Sequence, residues 1–204
     1  MNEDRLFHPY GMFHTENSRT LLLGSFPIAK FTNPKLRSSI KAHELDFYYG
    51  GEKNKLWSIL GRVFNQDMTS KEKIISVLSD YGLSLADVIE SCQNRNNSAA
   101  DRDLYNITWN LQLVQFIQKH RIQKIIFTSK WVEKNFFTKI FTDFKGESVV
   151  MLSPSGAANI SIASQKEFKS LKEKNPRYTV DDFRLENYRK ILLPKSAIGF
   201  EKPG

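Results

Sequence analysis

Three short stretches set hydroxyl-bearing and small residues directly behind apolar runs: Gly24-Ser25-Phe26-Pro27, Thr128-Ser129-Lys130 and Ser153-Pro154-Ser155-Gly156. Such residues suit close ligand approach, because a bare backbone and short side chains let amides and hydroxyls reach a bound group. Where a turn of this kind opens a helix, the unpaired amides of the first turn also favour an anion. Glycine and hydroxyl residues are common in any strand-to-helix turn, so one stretch alone says little. Three of them in one chain point to a shared site. Asn54, in "YYGGEKNKLW", adds a side-chain amide able to orient water or bind a polar ring edge, and is equally placed to cap the helix behind it.

The elements that must position these residues alternate. Thr20 to Gly24, Lys124 to Lys130 and Ser148 to Gly156 contain short continuous apolar runs, which read as strands covered on both faces. Leu85 to Cys92, "LADVIESC", reads as a further strand or strand end. Between them, Asn54 to Phe64 carries Leu56, Ile59, Leu60 and Val63 at helical spacing, and Lys71 to Tyr81 is a second amphipathic helix stopped by Gly82. A polar loop, "NRNNSAADRDL", precedes another helix near Asn110 to His120. Strands separated by helices predict right-handed crossovers and a parallel sheet with helices on both faces. Ligands then bind beyond the carboxyl ends of the strands, which brings the three stretches to one edge.

The chain has 204 residues, the size of one domain spanning residues 1–204. Hydrophobic residues make up 40% and charged residues 25%, an ordinary balance for a soluble protein, and no run is long and apolar enough to span a bilayer. Met1 to Arg5 has no apolar stretch behind it, so a cytoplasmic location is expected. The single Cys92 excludes an internal disulfide and reads as a small core residue, and four scattered histidines give no metal-ligand spacing. The net charge of +8 favours a polyanionic partner. Basic residues are dense between Lys166 and Lys190, including Arg184, where interspersed glutamates also fit a solvated helix face.

The order "HPY", "RTLLLGSFP", "FYYGGEKNKLWSIL", "GLSLADVIESCQNRNNSAADRDL", "IIFTSKWVEKNFF" and "MLSPSGAAN" resembles the uracil-DNA glycosylase superfamily, and within it the branch of hypoxanthine-DNA and mismatch-specific uracil-DNA glycosylases. It runs from His8 to Asn159. The resemblance implies an α/β fold, a three-layer α/β/α sandwich around a four-stranded, mainly parallel sheet. It implies a monomeric, cofactor-free enzyme that excises a deaminated base, uracil or hypoxanthine, flipped out of DNA. Such an enzyme must offer donors to the departing base and hold a water beside the sugar.

Carried over residue by residue, Gly24, Ser25, Phe26 and Pro27 match the motif that floors the base pocket, with Phe26 either stacking on the base or packing in the core. This motif often holds an Asp or Asn in the superfamily, and here it holds neither. The matching amide is Asn54, assigned to catalysis with Ser153, while Tyr49 and Asn159 join the pocket. Ser129 and Lys130, with Pro154, Ser155 and Gly156, match the phosphate-binding loops, where main-chain amides are expected to meet phosphate. Ile160 is the apolar candidate to fill the space of an extruded base. Asp87 reads as a buried acid bonded to loop amides and is given no catalytic role. Two departures stand out: Gly51-Glu52 replaces a His-Pro pair, and Ser153 replaces a His or Asn. They leave open a catalytically weak DNA-binding relative, and beyond it an α/β enzyme acting on a phosphorylated small molecule.

Overall fold

The computed structural model describes residues 4–193; the C-terminal tail singled out in the sequence, from about residue 192, lies almost wholly outside them. Four strands, β2 (Thr20–Gly24), β3 (Leu83–Asp87), β6 (Lys124–Phe127) and β7 (Glu147–Val150), form a sheet in the order β3-β2-β6-β7. Every pairing in it is parallel. Alternation along β2 decides the layers. Leu22 packs into one core with Leu56, Leu60, Ile74 and Tyr188, whereas Leu21 and Leu23 pack into another with Leu113, Val132 and Phe136. Helices α2 (Leu56–Phe64), α3 (Lys71–Asp80) and α8 (Val180–Leu192) therefore cover one face. Helices α4 (Gln112–Lys119) and α5 (Lys130–Asn135) cover the other. This is the expected α/β/α sandwich. Truncating any one of these fully buried leucines to alanine costs roughly 2–5 kcal/mol.

The sequence reading missed a second sheet. "LADVIESC" is not one strand: β3 ends at Asp87, and Ile89–Asn94 (β4) pairs antiparallel with Leu6–Phe7 (β1) and Leu104–Trp109 (β5). The chain changes sheet at Val88, where the amides of Val88 and Ile89 donate to the carbonyls of Gly24 and Ser25 beyond the end of β2. Two register shifts interrupt the β4–β5 ladder, and β5 is at most half-buried, so neither carries a clean apolar period. Cys92 is fully buried on β4, and burial pushes its thiol up to about 12.

The remaining helices are short, α1 (Ala29–Thr32) and α6 (Asn159–Ala163), apart from α7 (Lys166–Lys174). Gly82 stops α3 as anticipated, in a left-handed conformation at φ +61. Among the described residues no helix is long and apolar enough to cross a membrane.

Candidate active site

A cavity of about 450 Å³ lies beyond the carboxyl ends of the parallel strands, and all four contribute to its wall. Ser25 to Ile28 enter from β2, Asp87 from the last position of β3, Thr128 and Ser129 from β6, and Ser153 to Ser155 from β7. The segment Tyr49 to Asn54 closes one side, and Ala99 to Asp101 close another. This is where a parallel sheet leaves its strand-end backbone groups available to a ligand.

Asn54 sits in this wall with half of its amide already committed. Its Oδ1 accepts the amide of Leu56, the first residue of α2, at 2.9 Å from one position before the N-cap, and both Nδ2 hydrogens are left to offer to a ligand. Holding the helix start and binding a ligand are thus compatible. Its backbone is tied to the opposite loop. Asn54 bridges Ser155, Lys55 N–H donates to Pro154 O, and Gly156 N–H donates to Lys53 O, both at 2.9 Å. A Cβ on Gly156 would lie 2.9 Å from Lys53 O, so this close approach requires glycine.

From behind, α8 holds the same loop. Arg184 is fully buried and donates to Ser153 O at 2.8 Å, Ser155 O at 3.0 Å and Asn159 Oδ1 at 2.8 Å, while Asp181 balances its charge at 2.8 Å. Asn187 accepts the Leu152 amide and Tyr188 donates to Leu152 O. Arg184 therefore leaves the solvated basic face proposed for Lys166 to Lys190 and becomes an internal clamp. Asp181 at i−3 does not mark it out in the sequence, because Arg189 has Glu186 at the same spacing. The clamp also engages Asn159, which stands at the start of α6 and outside the cavity wall, away from the pocket position assigned to it.

The amides of this loop are also occupied. Ser155 N–H donates to Ser153 Oγ, Ala157 N–H to Ser155 Oγ, Ala158 N–H to Ser155 O, and Gly156 N–H to Lys53 O. The amides expected to meet phosphate are therefore already bonded within the protein. Ser153 Oγ accepts one amide, so its own hydrogen remains available to a ligand. Ser129 caps α5 by accepting the Val132 amide at 3.2 Å and also borders the cavity, whereas Lys130 is exposed outside it.

Gly24 does not floor the cavity. The space above its Cα is filled by the Tyr49 hydroxyl and Asp87 Oδ1, with which any Cβ would collide. Ser25, Phe26 and Pro27 do line the wall, and the Phe26 ring stands edge-on to His8 at 5.9 Å. Tyr49, at φ +55, is half-buried with its hydroxyl enclosed, and burial pushes that hydroxyl well above the ordinary range.

Of the four acids in the wall, Glu44, Asp101 and Asp87 behave differently from one another. Glu44 is desolvated, which alone would raise it, yet the amides of Glu52 and Lys41 and the Lys30 ammonium hold it down to about 2. It braces the rim around Gly51-Glu52. Asp101, hidden in a loop read only as polar, is pushed up by burial, against the Ser25 hydroxyl that donates to it and with the charge of Asp87 adding to the rise. Asp87 is 4% exposed; one oxygen accepts from His8 at 2.8 Å and the other has no partner. It bonds to a histidine side chain through Oδ2, not to the loop amides expected. Among the described residues no group of three or more His, Cys, Asp or Glu is placed to hold a metal ion.

No known family and no curated protein matches this sequence. Among solved structures, the chain is similar to the solution structure of a "putative Uracil DNA glycosylase" from Methanosarcina acetivorans, with a TM-score of 0.53 and 19% identity. The match covers 89% of this chain and 99% of that one. The chain shares that protein's fold.

Proposed function

We propose that this protein is a monofunctional DNA glycosylase that hydrolyses the bond between sugar and a deaminated base, uracil or hypoxanthine. The observation that carries this reading is the cavity itself, where all four strand exits meet Asn54 and Ser153 on a fold shared with a protein described as a uracil DNA glycosylase. Cleavage develops positive charge on the sugar and negative charge on the departing base. Asn54 Nδ2 and the Ser153 hydroxyl supply donors for that base, and Phe26 supplies a face on which it stacks.

The surroundings suit an extruded nucleotide in DNA. Ile160 is 86% exposed at the start of α6, two residues beyond the Ala157-Ala158 part of the cavity wall. A large apolar side chain held in solvent at a cavity mouth suits the gap left in a base stack. The net charge of +8, with Ser129, Lys130 and Ser155 near the mouth, suits the phosphate backbone.

A second reading, a DNA-binding relative with weak catalysis, is favoured by the occupied amides of the Ser153 loop and by Ser153 itself, a weaker donor than the His or Asn it replaces. Labelled duplexes carrying uracil or hypoxanthine opposite each base, treated with alkali after incubation, separate the two. Strand breaks at the modified base are expected. Salt-sensitive binding with no breaks on any duplex supports the second reading. In an active protein, Asn54→Ala lowers the single-turnover rate by about 100-fold or more and leaves DNA affinity within a few fold, the scale of losing one preorganised donor.

A further inference from the structure

We propose that Asp87 is the catalytic carboxylate that takes the proton of the attacking water, and that His8 is its positioning residue. This inference rests on the glycosylase reading above.

Backbone geometry fixes the histidine. The Tyr10 amide donates to His8 Nδ1 at 3.3 Å, so Nδ1 is an acceptor and the ring hydrogen sits on Nε2. Nε2 therefore donates to Asp87 Oδ2, 2.8 Å away. The rings of Tyr10, Phe26 and Tyr48 pack around the imidazole with centroids 5.3–5.9 Å distant and hold its plane. One carboxylate oxygen is thus tethered.

The other oxygen is left free. Oδ1 is buried with no hydrogen-bond partner, in a residue that borders the cavity. The Tyr49 hydroxyl beside it is also unpartnered, although Thr128 lies near, so two polar atoms without partners converge over Gly24. An unsatisfied buried acceptor costs about 1–3 kcal/mol, and natural structures keep few of them. Asn54 carries a neutral amide, which can orient a water but is not basic enough to take its proton. Asp101 already accepts from the Ser25 hydroxyl, whereas nothing donates to Asp87 Oδ1. Asp87 is the acceptor that remains.

The step balances as follows. Water oxygen bonds to C1′ as the C1′–N bond breaks, and the electron pair of that bond leaves with the base. The water proton passes to Asp87 Oδ1. The base then takes a proton from solvent and Asp87 returns its own. Asp87 also borders a second hollow of about 210 Å³ with His8, Glu90 and Asn110.

The titratable groups facing Asp87 are His8 and Tyr10 from the segment before β2, Tyr48 and Tyr49 from the rim, and Asp101 from the loop after β4. Glu90 on β4 borders the hollow behind it. Burial raises all three tyrosines above the ordinary phenol range, which leaves Asp101 as the competing acid.

The test is single-turnover excision on a uracil or hypoxanthine duplex from acid to neutral pH, with DNA affinity and thermal melting measured alongside. Wild type is expected to gain rate as pH rises through one ionisation. Asp87→Asn loses roughly 100-fold or more and loses that rise, with affinity unchanged, while Asp101→Asn keeps the rise. His8→Phe loses about tenfold, and His8→Gln, which retains an N–H donor, recovers most of it. If Asp87→Asn does not fold, the His8 pair decides alone. An active wild type with Asp87→Asn within threefold of it, or with the rise lost in Asp101→Asn instead, or with the two His8 variants equal, overturns this proposal alone. A wild type that releases no base overturns the glycosylase reading and this proposal with it.

Discussion

The two sides of the cavity are built in opposite ways. On the β7 side, the Ser153–Asn159 loop is tied down: the amides of Ser155, Ala157 and Ala158 bond within it, that of Gly156 donates to Lys53 O, Arg184 binds two of its carbonyls, and Asp181 balances the clamp. On the β2–β3 side, the same density of polar groups ends in two buried atoms without partners, Tyr49 Oη and Asp87 Oδ1. Full satisfaction fixes geometry, whereas an unsatisfied buried acceptor lowers stability and persists where chemistry uses it. The β7 side is therefore the frame, and the β2–β3 side is where the proposed chemistry is placed.

The sharpest way to break this comparison is to remove the clamp. Arg184→Met leaves two carbonyls, Asn159 and Asp181 without their buried cation, and a loss of about 3–5 kcal/mol is expected in chemical denaturation. A loss below about 1 kcal/mol would show that the loop does not depend on it. The opposite side is probed by Gly24→Ala, whose methyl group must displace Tyr49 or Asp87. We expect about 1–3 kcal/mol of destabilisation together with a large loss of excision rate, since the displaced groups belong to the reacting side. An unchanged rate would remove chemistry from that side.

The rim gives a prediction in pH. Glu44 is held at about 2, below the ordinary 4.5, so its contribution is complete above the ordinary value and is lost as pH falls through about 2. Wild type is expected to melt above Glu44→Gln at pH 6, with the gap closing between about pH 4.5 and pH 2. A gap independent of pH would contradict the ionic account of the rim. The smallest effect on stability is expected at Ile160. Being 86% exposed, Ile160→Ala changes folding by less than about 0.5 kcal/mol. Its DNA affinity and excision rate should fall several fold, and unchanged values would remove it from the DNA interface.

How much was legible in the sequence follows from the range of each signal. The runs at Thr20–Gly24 and Lys124–Phe127 announced the sheet because both faces of each strand are buried, so no partner was needed to read them. Ser25, Asn54, Ser129 and Ser153 were found by residue type at strand exits and loops, and the cavity gathers all four. The antiparallel sheet was hidden because β5 alternates between half-buried and exposed positions and its ladder is interrupted. Arg184 was misread because its burial depends on a loop about 30 residues away, and nothing local separates it from Arg189 or Lys190. Asp87 was visible as an acid, but its character comes from His8, 79 residues earlier, and from a hydroxyl over Gly24. Local pattern carried the frame, and long-range pairing determined which polar groups stayed free.

The central claim, hydrolysis of a base–sugar bond in this cavity, is tested most directly by mass spectrometry of a reaction run in heavy-oxygen water on a uracil or hypoxanthine duplex. The account predicts free, unlabelled base and one heavy oxygen on C1′ of each abasic sugar. Intact duplex on every substrate, or an abasic sugar without the label, would contradict it.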